Sequence, residues 1–227
     1  MAEQTVAGQA VAGQAVAGQA ERLSPLALAA DRIDEVVLAT GGAVSLAEVP
    51  FLAQLNLRLD PKSPAASAVA LELGVALPTG PGAATSGGLT VLWLGPDEWL
   101  VVGPPGAEGE LEARLRSAVG DGHTPVGNVA AVDVSVVDVS AQRTTLLLAG
   151  PRARDLLALG CALDLHPRSF GEGSCAQTML ARAQVVLVGR EAGAFWVLVR
   201  ASFAAYLVDW LVDASTEFTG GEFTGGA

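Results

Sequence analysis

Cysteine and histidine are scarce: the chain has two of each in 227 residues. Cys161 and Cys175 are too few for the disulfide framework that staples small secreted domains. Nor do the candidate ligands come in pairs roughly two to four residues apart, the usual pattern of structural zinc sites. "GGAVSL" and "GPPGAEG" have glycines but lack the Lys and Ser/Thr of a phosphate loop, and no GxGxxG follows a strand pattern, so nothing supports a nucleotide held by this chain. No run reaches the roughly 18 apolar residues of a membrane span. The opening "MAEQTVAGQA" has no basic end leading into an apolar core of the signal-peptide kind. Basic residues are the minority, 13 against 24 acidic ones for a net charge of -11, which argues against a nucleic-acid partner. These absences lead us to expect a cytoplasmic protein with neither membrane nor nucleic acid as partner.

Apolar residues are abundant: 51% of the chain is hydrophobic and 16% charged. Wholesale disorder is excluded by that balance, and a partner covering apolar surface is expected from it. Residues 6–20 are three copies of VAGQA, and EFTG at 217–220 is followed by GEFTG at 221–225. Such short repeats cannot stack as a solenoid. The expected organisation is a disordered extension over 1–21, one domain over 22–214 and a flexible tail over 215–227. Charge is uneven, because the stretch from Arg143 to Arg200 holds more arginines than acids and could meet a negative surface.

The spacing predicts these elements. Ser24 and Pro25 open a short helix. Leu55, Leu57 and Leu59 form one face of a strand broken by Asp60-Pro61. Lys62 to Gly74 is ambiguous, and 77–88 reads as a loop. "LTVLWLGPDEWLVVG" is a hairpin turning at Gly95-Pro96-Asp97-Glu98, and "GELEARLRSAV" is a helix with Leu111, Leu115 and Val119 on one stripe. A strand then places Val132, Val134 and Val136 on one face, with a bulge expected at Val136-Val137. A second strand covers Thr144 to Ala149, and "RARDLLALG" is a helix stopped by Gly160. Residues 177–188 are β-like, and "AFWVLVR" is a strand. Ser202 is expected to cap a last helix whose stripe is Phe203, Tyr206, Leu207, Trp210 and Leu211. The fold class is α+β, a mixed or antiparallel sheet with packed helices.

"GCALDLHPRSFGEGSCAQTML", residues 160–180, gathers Cys161, Asp164, His166 and Cys175. Zinc could take such ligands and a thiolate could act as nucleophile, but the spacing favours separate structural roles. Asp133 and Asp138, astride the expected bulge, make no convincing carboxylate pair. No catalytic, cofactor-binding or metal residue is therefore assigned. Asp164, His166, Arg168, Arg182 and Arg200 are expected to structure loops or to contact another subunit.

That block, continued through "CAQTMLARAQVVLV" and "FWVLVRASFAAYLVDWLVDA" and joined to "LWLGPDEWLVV", resembles the gamma subunit of heterotetrameric sarcosine oxidase. The resemblance implies a noncatalytic subunit of a complex that oxidatively demethylates sarcosine to glycine. It also implies alpha, beta and delta companions, alpha most directly, which hold FAD, FMN, NAD, tetrahydrofolate and zinc. The implied fold is similar to the folate-binding domain of aminomethyltransferases, whose full folate-site pattern and catalytic aspartate have no match here. The alternatives are a folate-binding module or divergent one-carbon transferase, and a thiol or metal enzyme centred on Cys161, His166 and Cys175.

Overall fold

A computed structural model describes residues 22–120 and 134–219. Within them are two five-stranded sheets whose strand pairs are all antiparallel. The first runs β1 (Ser45–Val49), β7 (Arg143–Ala149), β10 (Phe195–Arg200), β9 (Ala183–Gly189), β8 (Cys175–Leu180). The second runs β3 (Ala83–Ser86), β4 (Leu89–Gly95), β5 (Glu98–Gly103), β2 (Ala53–Arg58), β6 (Ser135–Asp138). Helices α1 (Ala30–Ala39), α4 (Ala153–Ala158) and α5 (Ala201–Ser215) cover the first sheet, and α2 (Pro64–Leu73) and α3 (Glu108–Val119) cover the second. The α+β expectation holds in its antiparallel form.

Successive side chains on a strand point to opposite faces, and this sorts the core into three layers. Val91, Trp99 and Val101 face α2 and α3. Their neighbours Leu92, Leu100 and Val102 meet Val186, Val188 and Leu198 of the first sheet. Val185, Leu187, Val197 and Val199 face the other helices. Strands covered on both faces read as near-continuous apolar runs. Much of the hydrophobic excess is therefore absorbed inside the chain, which gives it a cause other than the covering partner expected above.

Several local expectations change. Ser24 does not cap a helix: its hydroxyl donates to Glu48 Oε2 at 2.6 Å, and α1 begins at Ala30 after a 3₁₀ turn over Ala27–Ala29. The ambiguous Lys62–Gly74 segment is α2, whose Ser63 side chain accepts from the Ala66 N–H, with Pro64 in the first turn and Gly74 at φ 66° closing it. Those are the start and stop signals that a helix needs. The 77–88 loop contains edge strand β3. Val136 is buried as expected, but Ser135 to Asp138 pair with β2 without a register shift, so no bulge lies there. Val132 and Asp133 lie outside the described residues.

Ser202 sits inside α5, which starts at Ala201 with no side-chain cap. The buried stripe of that helix is Ala204, Leu207, Val208 and Leu211, while Phe203 and Tyr206 are exposed. Leu207 and Leu211 are thus buried as expected and Trp210 packs partly buried against the same core, while aromatic size drew the expectation to Phe203 and Tyr206 in place of Ala204 and Val208. Gly160 does follow α4, but for a different reason: a Cβ there would lie 2.6 Å from ring carbons of Trp210.

Candidate functional site

The 160–180 block does not assemble into a reactive centre. It leaves α4, runs along the first sheet and enters β8. Cys161 is buried and bridges Leu180 at the end of β8, with its Sγ 3.9 Å from Thr178 Oγ1. Cys175, at the start of β8, belongs to the inter-sheet layer, and its thiol donates to the Trp93 carbonyl at 3.7 Å. His166 is exposed on the loop between them, its Nδ1 accepting from the Arg168 N–H at 3.2 Å. Asp164 receives the His166 N–H at 2.9 Å and the Ser169 hydroxyl at 2.5 Å. Those two donors hold its carboxyl below the usual range, the hydroxyl contributing most. From α4, Arg154 donates to the Leu165 and Phe170 carbonyls at 2.6 and 2.8 Å and lies over the Phe195 ring. Among the described residues, no group of three or more His, Cys, Asp or Glu side chains could hold a metal ion.

Burial pushes the Cys175 thiol up to about 12 from 9.0, so the thiolate needed for nucleophilic attack is suppressed in the fold. Alkylation at mildly alkaline pH should therefore spare Cys175 in the native protein and label it in urea; native labelling at the unfolded rate would contradict its burial. The thiol's pKa is higher folded than unfolded. Its contribution to stability is thus whole below the unfolded value and is lost as pH rises from about 9 toward 12.

The sheets instead bring together a polar cluster at one end of the inter-sheet layer. Residues directly opposed on antiparallel strands share a face. Gln54 is opposite Val102, Asn56 opposite Leu100 and Arg58 opposite Glu98, all on the layer's side of the second sheet. From the first sheet come Thr145, opposite Leu198, and Arg143, opposite Arg200. Glu98 accepts from Asn56 Nδ2 at 2.7 Å and from Arg58 at 2.6 Å. Partial burial would raise its carboxyl pKa, but these bonds and the Arg58 and Arg143 charges outweigh that and lower it. Gln54 Nε2 donates to the Arg143 carbonyl at 3.2 Å, tying the two sheets together. The Ser140 hydroxyl accepts from the Gln54 N–H at 2.9 Å and donates to Asp138 at 2.5 Å. Asp138 is thus engaged in the turn after β6, while Asp133, its suggested partner, lies outside the described residues. Two buried side-chain atoms of this layer, Gln54 Oε1 and Thr145 Oγ1, have no hydrogen-bond partner.

Strand register separates the arginines expected to act together. Arg200 ends β10 and Arg182 lies in the turn before β9, its N–H 3.3 Å from the Tyr206 hydroxyl. Arg168 instead lies just before Phe170, which stacks on Phe195, and Gly171, which approaches Gly189, at the other end of the sheet. The sequence reading missed the Arg143–Arg200 pairing altogether. Both residues were visible at strand ends, but only register shows them directly opposed.

The profile of the sarcosine oxidase, gamma subunit family matches residues 58–217. The chain is 40% identical over 181 residues to sarcosine oxidase subunit gamma of Corynebacterium sp. (strain P-1), covering 79% of this chain and 83% of the relative. It is 39% identical over 203 residues to the subunit of the same name from Corynebacterium sp. (strain U-96), covering 88% and 93%. Among solved structures it is similar to a chain of the heterotetrameric sarcosine oxidase from Corynebacterium sp. U-96 in complex with pyrrole 2-carboxylate. That match has a TM-score of 0.78 and 37% identity, and covers 88% of this chain and 98% of the other. A glycine cleavage system aminomethyltransferase T from Bartonella henselae shares the fold, with a TM-score of 0.56 at 16% identity over 82% of this chain and 49% of the other. The two-sheet fold, the buried and separated cysteines, and these matches over most of the sequence lead to one assignment: the chain belongs to the sarcosine oxidase gamma subunit family.

Proposed function

We propose that the chain is a noncatalytic gamma subunit that stabilises a heterotetrameric sarcosine oxidase, a cytoplasmic complex converting sarcosine oxidatively to glycine. The observation that carries this is the near full-length likeness to a chain of the heterotetrameric enzyme, 98% of which is covered. Its companions are alpha, beta and delta subunits, with alpha as the most direct neighbour. FAD, FMN, NAD, tetrahydrofolate and zinc belong to those companions in this reading, and residues 22–214 supply the contact domain. Separation of Cys161, His166 and Cys175 supports a structural role for the block that carries them. No helix among the described residues is long and apolar enough to cross a membrane, which accords with the proposed location.

Arg182 and Arg200 are placed at the subunit contact, while Asp164, His166 and Arg168 shape the loop ahead of β8. The exposed Phe203 and Tyr206, in edge contact with each other and beside Arg182, offer the aromatic surface that interfaces favour. Purification from the native cell should recover the chain together with large flavoprotein subunits. Recovery as a lone monomer would refute the proposal.

A further inference from the structure

Six arginines of the described residues are in ion pairs: Arg22, Arg32, Arg58, Arg114, Arg116 and Arg152. Arg143 and Arg200 are not, although register puts them directly opposite each other on β7 and β10. Like charges directly opposed across strands repel, and Arg143 is partly buried. Among the described residues neither guanidinium donates a hydrogen bond to the protein. Glu98, whose charge partly offsets that of Arg143, is already held by Asn56 and Arg58. Burial, and then the Arg200 charge, hold the Arg143 guanidinium below its usual pKa. A partly buried charge facing an exposed like charge is costly where one shared carboxylate is its only offset, and the pair has the forked donors that carboxylates accept.

We propose that the Arg143–Arg200 pair receives a carboxylate side chain from an adjoining subunit of the oxidase, an inference that rests on the assembly proposed above. Arg143 also lines a cleft of about 190 Å³ with Arg22, Phe51 and Ser140. Pockets for small organic ligands run from roughly 300 to 1,000 Å³, so this cleft is small for a free metabolite beside Arg143; Arg200 is not in its lining, and the carboxylate's contact is the strand-end pair itself. Two residues inward on the same strand face as Arg143, the buried Thr145 hydroxyl has no hydrogen-bond partner. On a chain of net charge -11, a locally positive spot attracts an acidic surface that the rest of the molecule repels, and so fixes orientation as well as strength.

The test is co-expression of the full chain with its companion subunits, comparing wild type, Arg143→Gln, Arg200→Gln and the double variant. The wild type should retain its companions, and the double variant should dissociate about tenfold faster or more. Added salt should narrow that gap. The free double variant should melt no lower than wild type, since the substitutions relieve repulsion. Equal retention of companions by the double variant would overturn the inference alone. So would a melting loss in the free chain that accounts for the weakened assembly, because the pair would then be structural. A melting increase with glutarate in the wild type but not in the double variant, with assembly unaffected, would show a small-molecule site and overturn the subunit contact. A wild-type chain that recovers no companions would overturn both this inference and the functional proposal beneath it.

Discussion

Gly189→Ala will lower the stability of the protein by about 3 kcal/mol or more, at the upper end of what overpacking one methyl group costs. Gly189 ends β9 opposite Phe195. Its N–H donates to the Ser174 carbonyl at 2.9 Å, and its own carbonyl receives the Gly173 N–H at 3.0 Å. A Cβ at this position would lie 1.9 Å from the Gly171 carbonyl oxygen and 2.9 Å from its carbon. Both obstacles are backbone, so no rotamer change relieves the overlap. The loop would have to move, and with it the Gly173 carbonyl that accepts from Ala83 at 2.7 Å and joins the first sheet to β3. Urea denaturation should show a lower midpoint at unchanged slope. Gly109→Ala is the matched control, because nothing lies within 4 Å of a Cβ there. Equal midpoints for the two variants would mean that the Gly171–Gly189 approach is wrong.

Trp99→Ala should cost about 3–5 kcal/mol, the range for truncating a large buried aromatic residue. Trp99 is 1% exposed, lies opposite Leu57 on β2 and Trp93 on β4, and belongs to the core beneath α2 and α3. Its indole N–H donates to the Pro78 carbonyl at 2.8 Å, fixing the segment that leads into β3. Alanine removes both the volume and the donor. Trp99→Phe separates them, since it keeps most of the ring contact and should cost about 1–2 kcal/mol through the lost bond and modest repacking. Thermal and urea melts of the three proteins check the order; a Phe variant as damaged as the Ala variant would show that the hydrogen bond, and not packing, dominates.

The elements most easily read from the sequence were those with a single strong periodicity or punctuation mark. Leu55, Leu57 and Leu59 alternate, and Gly95-Pro96-Asp97-Glu98 marks the β4–β5 turn. Leu111 and Leu115 repeat with a helical period, and all of these were placed correctly. The two-strand reading of 132–149 found the strands but not their partners: β6 pairs with β2 and β7 with β1 and β10, in different sheets. Nothing local to those residues records the choice, because pairing depends on segments on the order of 80 residues away along the chain. In α5, Leu207 and Leu211 were legible, but only the position of the sheet beneath selects Ala204 and Val208 over Phe203 and Tyr206.

At the candidate sites the balance was similar. The poor ligand spacing in "GCALDLHPRSFGEGSCAQTML" was enough to disfavour a metal or thiol centre. Arg200 could be singled out, but its neighbour Arg143 could not, since the two are far apart in sequence and meet only through the β7–β10 register. By itself the sequence determined the α+β class, most strands and helices, the family and the weakness of the cysteine–histidine block as chemistry, because all of these depend on local pattern, spacing and similarity. The tertiary structure alone decided which strands share a sheet, which face of α5 is buried, why residues 160 and 189 must be glycine, and that two arginines confront each other across neighbouring strands. Those facts depend on which distant surfaces are pressed together, and hydrophobic burial, being non-directional, leaves that choice to the packing of the whole chain.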